Sequence, residues 1–364
     1  MKIQKICLAA VVSLTAVLLL WKGGVIGAGI RTGIQLCGSV IIPSMFPFMM
    51  LSGFIARSGL LLSVSRLLEP VSMRLLRLPG CGMAVFLLSL IAGYPVGASL
   101  CGQMCADGLL QPEQAKRLCV YSCGAGPAFL VLAVGQGMLG SIRAGYLLLG
   151  AHLLAAVCTA LLFARGTPIR MRPAAPRRRQ LGLPDAMVES VAAASSSMVL
   201  ICAFVLLFSG VVAILRSAKL PASAFCAMVS VLEVSNGCAC LAQLDAALPY
   251  IAAAVGFGGF SVLCQILSVS KTARPRFRML LLARSVHALC SLIFCQVFLW
   301  IFPSAQQAVQ TGATAHGQVQ VFSATPQFAL ALLLLCVVFL SAVYTRSTKR
   351  CRFVNDVLQI WKRE

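Results

Sequence analysis

Residues 89–102 read SLIAGYPVGASLCG. They lie inside the apolar run 81–106, yet Gly93, Pro95 and Gly97 all disfavour a helix there. Breaking a helix in lipid frees backbone N–H and C=O groups, which are costly unless they are paired again. Such a break persists where protein, water or a ligand satisfies those groups, so this stretch predicts a cavity wall. Each arm of 81–106 has about 12 residues, or about 18 Å of helix, against a hydrocarbon core of about 30 Å. The run therefore reads as a re-entrant hairpin that enters and leaves on one side.

The rest of the chain agrees with a membrane setting. Of 364 residues, 60% are hydrophobic and 11% charged, and the mean hydropathy is +0.94. A soluble domain carries about 25% charge. Long apolar runs fall near 6–21, 36–56, 118–137, 145–164, 190–215, 248–269, 279–302 and 327–345. A second run with turn chemistry in its middle covers 222–246. The expected fold is an all-α polytopic membrane protein: about eight transmembrane helices plus two re-entrant hairpins arranged as inverted repeats. The first run follows Lys2 and Lys5 and ends at Trp21-Lys22, so it reads as a retained span rather than a cleaved signal.

Charge supports this topology. With the N-terminus inside, the inner segments are 1–5, 57–80, 107–117, 165–189, 271–284 and the tail from 346. They hold 25 of the 30 basic residues; Lys22, Arg31, Arg143, Arg216 and Lys219 are outside. The loop 303–327 has no Lys, Arg, Asp or Glu. The net charge of +21 is thus explained by topology and lipid headgroups, not by nucleic acid. The Pro- and Arg-rich stretch 165–189 reads as a cytoplasmic linker, and 66–80 as an amphipathic helix on the inner leaflet.

Two halves emerge, in opposite orientation. A span (36–56), an inner hairpin (81–106) and a broken span (118–137) are matched by a span (190–215), an outer hairpin (222–246) and a broken span (248–269). Inverted repeats with interrupted helices are a transporter architecture, with the ligand site where the breaks meet. The organisation is then 1–34, an anchor span and outer segment; 35–140, the first repeat; and 141–189, a scaffold span and linker. The second repeat is 190–270, followed by two scaffold spans in 271–345 and a basic tail, 346–364.

The candidate ligand-binding residues lie at these breaks. Gly93, Tyr94, Pro95, Gly97 and Ser99 belong to the first hairpin, and Asn236 and Gly237 to the second. Ser122, Gly124, Gly126 and Pro127 interrupt the first broken span; Gly258 and Gly259 interrupt the other. Ser196 and Ser197 lie within 190–215. Half-helix N-termini at such breaks offer N–H donors and a positive dipole end to carboxylates. Glu233 is the acidic residue well inside an apolar stretch, three positions before Asn236-Gly237. It is a candidate for a coupling ion or proton, with a capped carboxyl that holds the turn as the structural alternative. His152 and His287 read as packing residues, and the 17 Cys as small apolar residues with no disulfide framework or metal site implied. No acid–base constellation, catalytic motif or cofactor motif occurs, so no enzyme activity is expected.

The stretches IIPSMFPFMMLSGFI (41–55), LPGCGMAVFLLSLIAGYPVGASL (78–100), QPEQAKRLCVYSCGAGPAFLVLAVGQGMLG (111–140) and LEVSNGC (232–238) resemble the YlbJ/SpoVV family of sporulation integral membrane proteins. That family carries a nucleoside-recognition, or Gate, domain, distantly similar to concentrative nucleoside transporters. The resemblance covers about residues 35–270. It implies an integral protein of the outer forespore membrane that moves dipicolinic acid, a rigid aromatic dicarboxylate, out of the mother cell by alternating access. A coupling cation or proton would accompany it. The alternatives are a nucleoside-type carrier and a non-transporting assembly factor for the spore cortex.

Overall fold

The computed structural model describes residues 20–164, 181–218, 220–244 and 247–302. The span expected at 327–345, nearly all of that at 6–21, the loop 303–327, the tail and most of the 165–189 linker lie outside the described residues. The described chain is helical, without strands. Helix α1 is Gly23–Arg57, α2 Leu60–Leu75, α3 Gly80–Ala92, α4 Val96–Ala106 and α5 Pro112–Tyr121. Helix α6 is Ala128–Met138, α7 Ile142–Ala164, α8 Leu183–Arg216, α9 Ala222–Leu232 and α10 Val234–Gln243. Helices α11 (Leu248–Phe257), α12 (Gly259–Val269) and α13 (Phe277–Ile301) complete it.

Among the described residues, five helical stretches are long and apolar enough to cross a membrane: α1, α7, α8, α11 with α12, and α13. Counting the bent pair α2–α3 makes six. The expected span 118–137 is two short helices, α5 and α6, joined through Ser122–Pro127.

Helices α1 and α8 form an antiparallel pair along most of their length. Gly29 and Gly33, one turn apart, face Ser209, and Gly53 faces Ser190. Small residues let two helices approach closely where lipid offers no hydrophobic drive for association. At 35 and 34 residues each is about 50 Å long. Helix α1 is continuous through residues 34 and 35, where the sequence suggested a segment boundary. Gly29 and Gly33 there serve helix packing.

Within α1 the turn at Cys37–Ile41 widens to π geometry. Pro43 lies just beyond it and has no N–H to give the carbonyl of Ser39, so the regular ladder cannot run through. Helix α6 is π throughout. Both π stretches border the site described below.

The two interrupted runs are helical hairpins. In the first, α3 and α4 flank Gly93–Pro95; Gly97 packs on Ser89, and the thiol of Cys81 reaches the carbonyl of Leu109. In the second, α9 and α10 flank the single residue Glu233. Gly237 packs on Ser230, and Cys226 and Cys240 are joined by a disulfide with Cα atoms 5.5 Å apart. That bond corrects the sequence reading of cysteines as packing residues alone. The hairpin brings residues 14 apart in sequence side by side, which spacing alone does not show.

Helix α8 acts as a ruler for both hairpins. Arg57 and Gln103 line one cavity with Ser190, near its start. Tyr94 and Glu233 line another with Ile201 and Val205, near its middle. Asn236 bonds Ser209, and Arg216 lies over the ring of Phe225 near its end. The hairpins thus come from opposite ends of α8, and their tips meet halfway.

Basic residues gather at the Ser190 end. Arg57 contacts Glu189 there, Arg117 reaches the carbonyl of Phe163 at the end of α7, and Thr272 bonds the carbonyl of Gly102. Helix α2 lies at this end, meeting α3 at 94°. It starts at Leu60 and stops at Leu75, not 66–80, because Glu69 accepts from the N–H of Gly80 and Ser72 donates to Leu78 and Pro79, fixing a turn. Arg284 also requires a correction. Counted in sequence with the inner loop 271–284, it lies inside α13 with 1% exposure.

Candidate functional site

Each hairpin tip rests on the break of the broken span that follows it. Gly93 ends α3 at φ +79, where a side chain would be strained, and a Cβ there would sit 2.8 Å from the N of Gly126. A Cβ on Gly97 would collide with the carbonyl of Ser122. In the second half, Gly259, at φ +78, lies under the other tip: its Cβ would be 3.0 Å from the carbonyl O of Leu232. Gly258, at φ +84, divides α11 from α12. Gly93, Gly97 and Gly259 are contact points between backbones, so their role is close approach.

The tips enclose one buried pocket. Its wall includes Tyr94 from the first hairpin, Glu233, Val234 and Ser235 from the second, Phe129 from α6 and Gln265 from α12. Ile41 and Met45 of α1, with Ile201 and Val205 of α8, close its side. The space open to water centres is about 20 Å³, room for one or two waters. Ile41 and Phe129 belong to the two π stretches, a geometry that recurs at functional sites.

Glu233 caps α10. Its Oε1 accepts from the N–H of Ser235 at 2.9 Å; Oε2 accepts from the N–H of Asn236 at 2.7 Å and its side-chain amide at 2.8 Å. The same side chain lines the pocket. The capped geometry and the pocket position coexist. Asn236 also donates to Ser209 Oγ at 3.1 Å, tying the tip to α8. Asn236 and Gly237 are therefore supports of the tip and do not line the pocket.

Behind Tyr94 stands Arg284. Its guanidinium donates to the carbonyl of Cys123, just past the end of α5, and to those of Gly256 and Phe257 at the end of α11. One side chain thus satisfies the exposed carbonyl ends of both broken spans, where the helix dipole is negative. Its Cζ lies 6.0 Å from the centroid of the Tyr94 ring. The Tyr94 hydroxyl is buried and has no hydrogen-bond partner among the described residues.

The histidines also serve the first break. Ala125 N–H donates to His152 Nε2 at 2.8 Å, so the neutral ring carries its proton on Nδ1. That nitrogen is 3.3 Å from Nε2 of His287. The pair pins the Gly124–Gly126 backbone to α7 and α13. On α13, Arg284, His287 and Ser291 share the face that also buries Leu280 and Cys295. Their i, i+3, i+7 spacing was the sequence signal for this inward polar stripe.

The remaining candidates separate. Ser99 and Ser197 line a second cavity with Arg57, Gln103 and Ser190. Ser196 is exposed and its hydroxyl donates to the Ala192 carbonyl at 3.0 Å, so it is a helix back-bond outside the pocket. Pro95 is buried in the first tip. Ser122 is buried with its hydroxyl unpartnered among the described residues, and Pro127 starts α6. Sequence reasoning missed Phe129, Gln265, Arg57 and Arg284.

No family model matches the chain, and no solved structure matches it. Among curated proteins, it is 24% identical over 378 aligned residues to the sporulation integral membrane protein YlbJ of Bacillus subtilis (strain 168). The alignment covers 88% of this chain and 92% of that relative. Together with the long apolar helices, this similarity over most of both chains supports an integral membrane protein similar to that relative.

Proposed function

We propose that this protein is a secondary carrier of a small anionic metabolite, working by alternating access in a sporulating bacterium. The observation that carries the reading is the meeting of both hairpin tips and both broken spans around one buried pocket, whose largely apolar wall carries Tyr94, Glu233, Ser235 and Gln265. Such a meeting is what an inverted-repeat carrier requires at its midpoint. The name of the relative supports the sporulation role.

On this reading the hairpins are re-entrant and the basic end faces the cytoplasm. The pocket, open to one or two waters, belongs to an occluded conformation; loading requires a hairpin to move outward. Tyr94 and Gln265 offer donors to a carboxylate, and Phe129 gives an aromatic face for a flat ring. Dipicolinate, passing from the mother cell across the outer forespore membrane, is the first substrate to test. It fits the resemblance to the YlbJ/SpoVV family as well as the pocket chemistry. Glu233 is the group proposed to take a proton or coupling cation as the ligand binds.

Purified protein in proteoliposomes should accumulate labelled dipicolinate above empty vesicles. Glu233→Gln should flatten the dependence of uptake on pH or cation. Uptake equal to empty vesicles across a panel of small aromatic carboxylates would overturn the carrier reading.

A further inference from the structure

Arg284 is a full positive charge in the interior, with 1% exposure. Its hydrogen bonds go to the carbonyls of Cys123, Val255, Gly256 and Phe257, and none goes to a carboxylate among the described residues. Carbonyl dipoles solvate a guanidinium without neutralising it. Buried charges are ordinarily matched by opposite ones, because a low-dielectric interior screens their field weakly. Arg284 therefore favours an anion close by.

The pocket at the hairpin tips is the space next to it. Two wall residues of that pocket lie directly before the guanidinium. The ring centroid of Tyr94 is 6.0 Å from Arg284 Cζ. A Cβ at Gly258 would touch both Arg284 Nη2, at 3.6 Å, and Val262, at 3.3 Å. Val262 lines the pocket, so one layer of side chains separates the cation from the ligand space. The wall itself contains no Lys or Arg. Glu233 stands in the same wall, on the other hairpin, held by the N–H groups of Ser235 and Asn236. The Tyr94 hydroxyl is buried and has no hydrogen-bond partner among the described residues. A ligand oxygen that accepts from it would remove the cost of leaving it unpaired. A cation against the ring also draws electron density from the phenol, which makes its O–H a stronger donor.

We propose that Arg284 determines the charge specificity of the pocket. Its field, acting through Tyr94, makes the pocket prefer a carboxylate to a neutral ligand of the same shape, and turns the carboxylate toward Tyr94 and away from Glu233. The proposal rests on the pocket being the ligand site of the carrier reading above. Arg284 is a positioning residue that need not touch the ligand. Its hold on the broken spans needs the planar fork of the guanidinium, whereas its effect on the ligand needs only the charge.

Calorimetric binding to purified protein in detergent tests this, with dipicolinate and its neutral isostere pyridine-2,6-dicarboxamide as ligands. A unit charge at about 8 Å in a medium of effective dielectric about 20 corresponds to about thirtyfold in affinity, and opposing carbonyl dipoles reduce this to about tenfold. The parent should therefore bind the dianion about tenfold more tightly than the diamide. Arg284→Met should abolish most of that preference by weakening the dianion, with the diamide little changed; where that variant does not fold, Arg284→Gln, which keeps an amide donor without the charge, replaces it. Arg284→Lys should keep most of the preference while its melting midpoint falls. A purely structural role does not give that split, since a disturbed pocket weakens both ligands together. Tyr94→Phe keeps the ring over Arg284 and removes the hydroxyl, and should weaken the dianion about tenfold and the diamide less, because hydrogen bonds to charged acceptors are the stronger ones. Size-exclusion profiles report the folding of each variant. No preference in the folded parent, a preference unchanged without the charge, equal loss of both ligands in Arg284→Lys, or unaltered dianion binding in Tyr94→Phe would overturn the proposal. Charge-selective binding that depends on Arg284, in protein that moves no carboxylate across proteoliposomes, would uphold it and remove the carrier reading instead. Uptake of dipicolinate without that selectivity would do the reverse.

Discussion

Arg284→Met offers the most direct test of how the two halves are joined. Methionine keeps an apolar stem of similar length but supplies no donor. Four carbonyls, of Cys123, Val255, Gly256 and Phe257, then lose the guanidinium. Each buried acceptor left unpaired costs about 1–3 kcal/mol, and removal of the charge returns the desolvation penalty of burying it. Allowing for that return and for relaxation, the net loss is about 4 kcal/mol. At about 2 °C per kcal/mol for a chain of this size, the unfolding midpoint should fall by about 8 °C. A thiol-reactive fluorophore suits the measurement, because Cys101, Cys119, Cys123, Cys238 and Cys295 are buried and react only on unfolding. Midpoints should be compared at one heating rate in one detergent, since membrane proteins often unfold irreversibly. Arg284→Lys retains the charge but not the planar fork that spans both breaks, and should fall between the two. An Arg284→Met midpoint within about 2 °C of the parent would refute the idea that this side chain holds the broken ends, since it allows about 1 kcal/mol at most.

Gly259→Ala forces a Cβ into left-handed backbone 3.0 Å from the Leu232 carbonyl and should cost about 1–3 kcal/mol in the same melt, whereas Gly23→Ala, with open space around it, should not lower the midpoint. Glu233→Gln turns an acceptor group partly into a donor facing the N–H groups of Ser235 and Asn236; the lost cap should cost about 1 kcal/mol, and an unchanged midpoint would show that the carboxylate does not hold the tip. Alkylation of unfolded, unreduced protein should leave Cys226 and Cys240 unmodified, and Cys226→Ser should make Cys240 modifiable; alkylation of both in the parent would remove the cross-link.

The second hairpin shows how far sequence could reach. An apolar run interrupted near Glu233 and Asn236-Gly237 was legible as two short helices with a turn, because no uninterrupted span is needed to explain it. The residue that makes the turn was not legible. Glu233 alone separates α9 from α10, and Asn236 stands inside the second arm, where it props the carboxylate. Likewise Gly258-Gly259 marked a break in the second broken span, but not that Gly259 lies under the carbonyl of Leu232.

Arg284 marks the limit on the other side. In a tally of charges along the chain, an Arg near the start of an apolar run belongs with the loop, and that is where it was placed. Its burial depends on the ends of α5 and α11, more than 160 and 25 residues away, both presenting bare carbonyls to the same point. Composition, hydropathy and glycine and proline positions determined that this chain is helical, membrane-embedded and interrupted at defined places, because those are local properties of backbone and side-chain solubility. The pocket, the Arg284 clamp, the histidine pair and the disulfide were decided only by tertiary structure, because each depends on which freed backbone or side-chain groups meet across elements far apart in sequence.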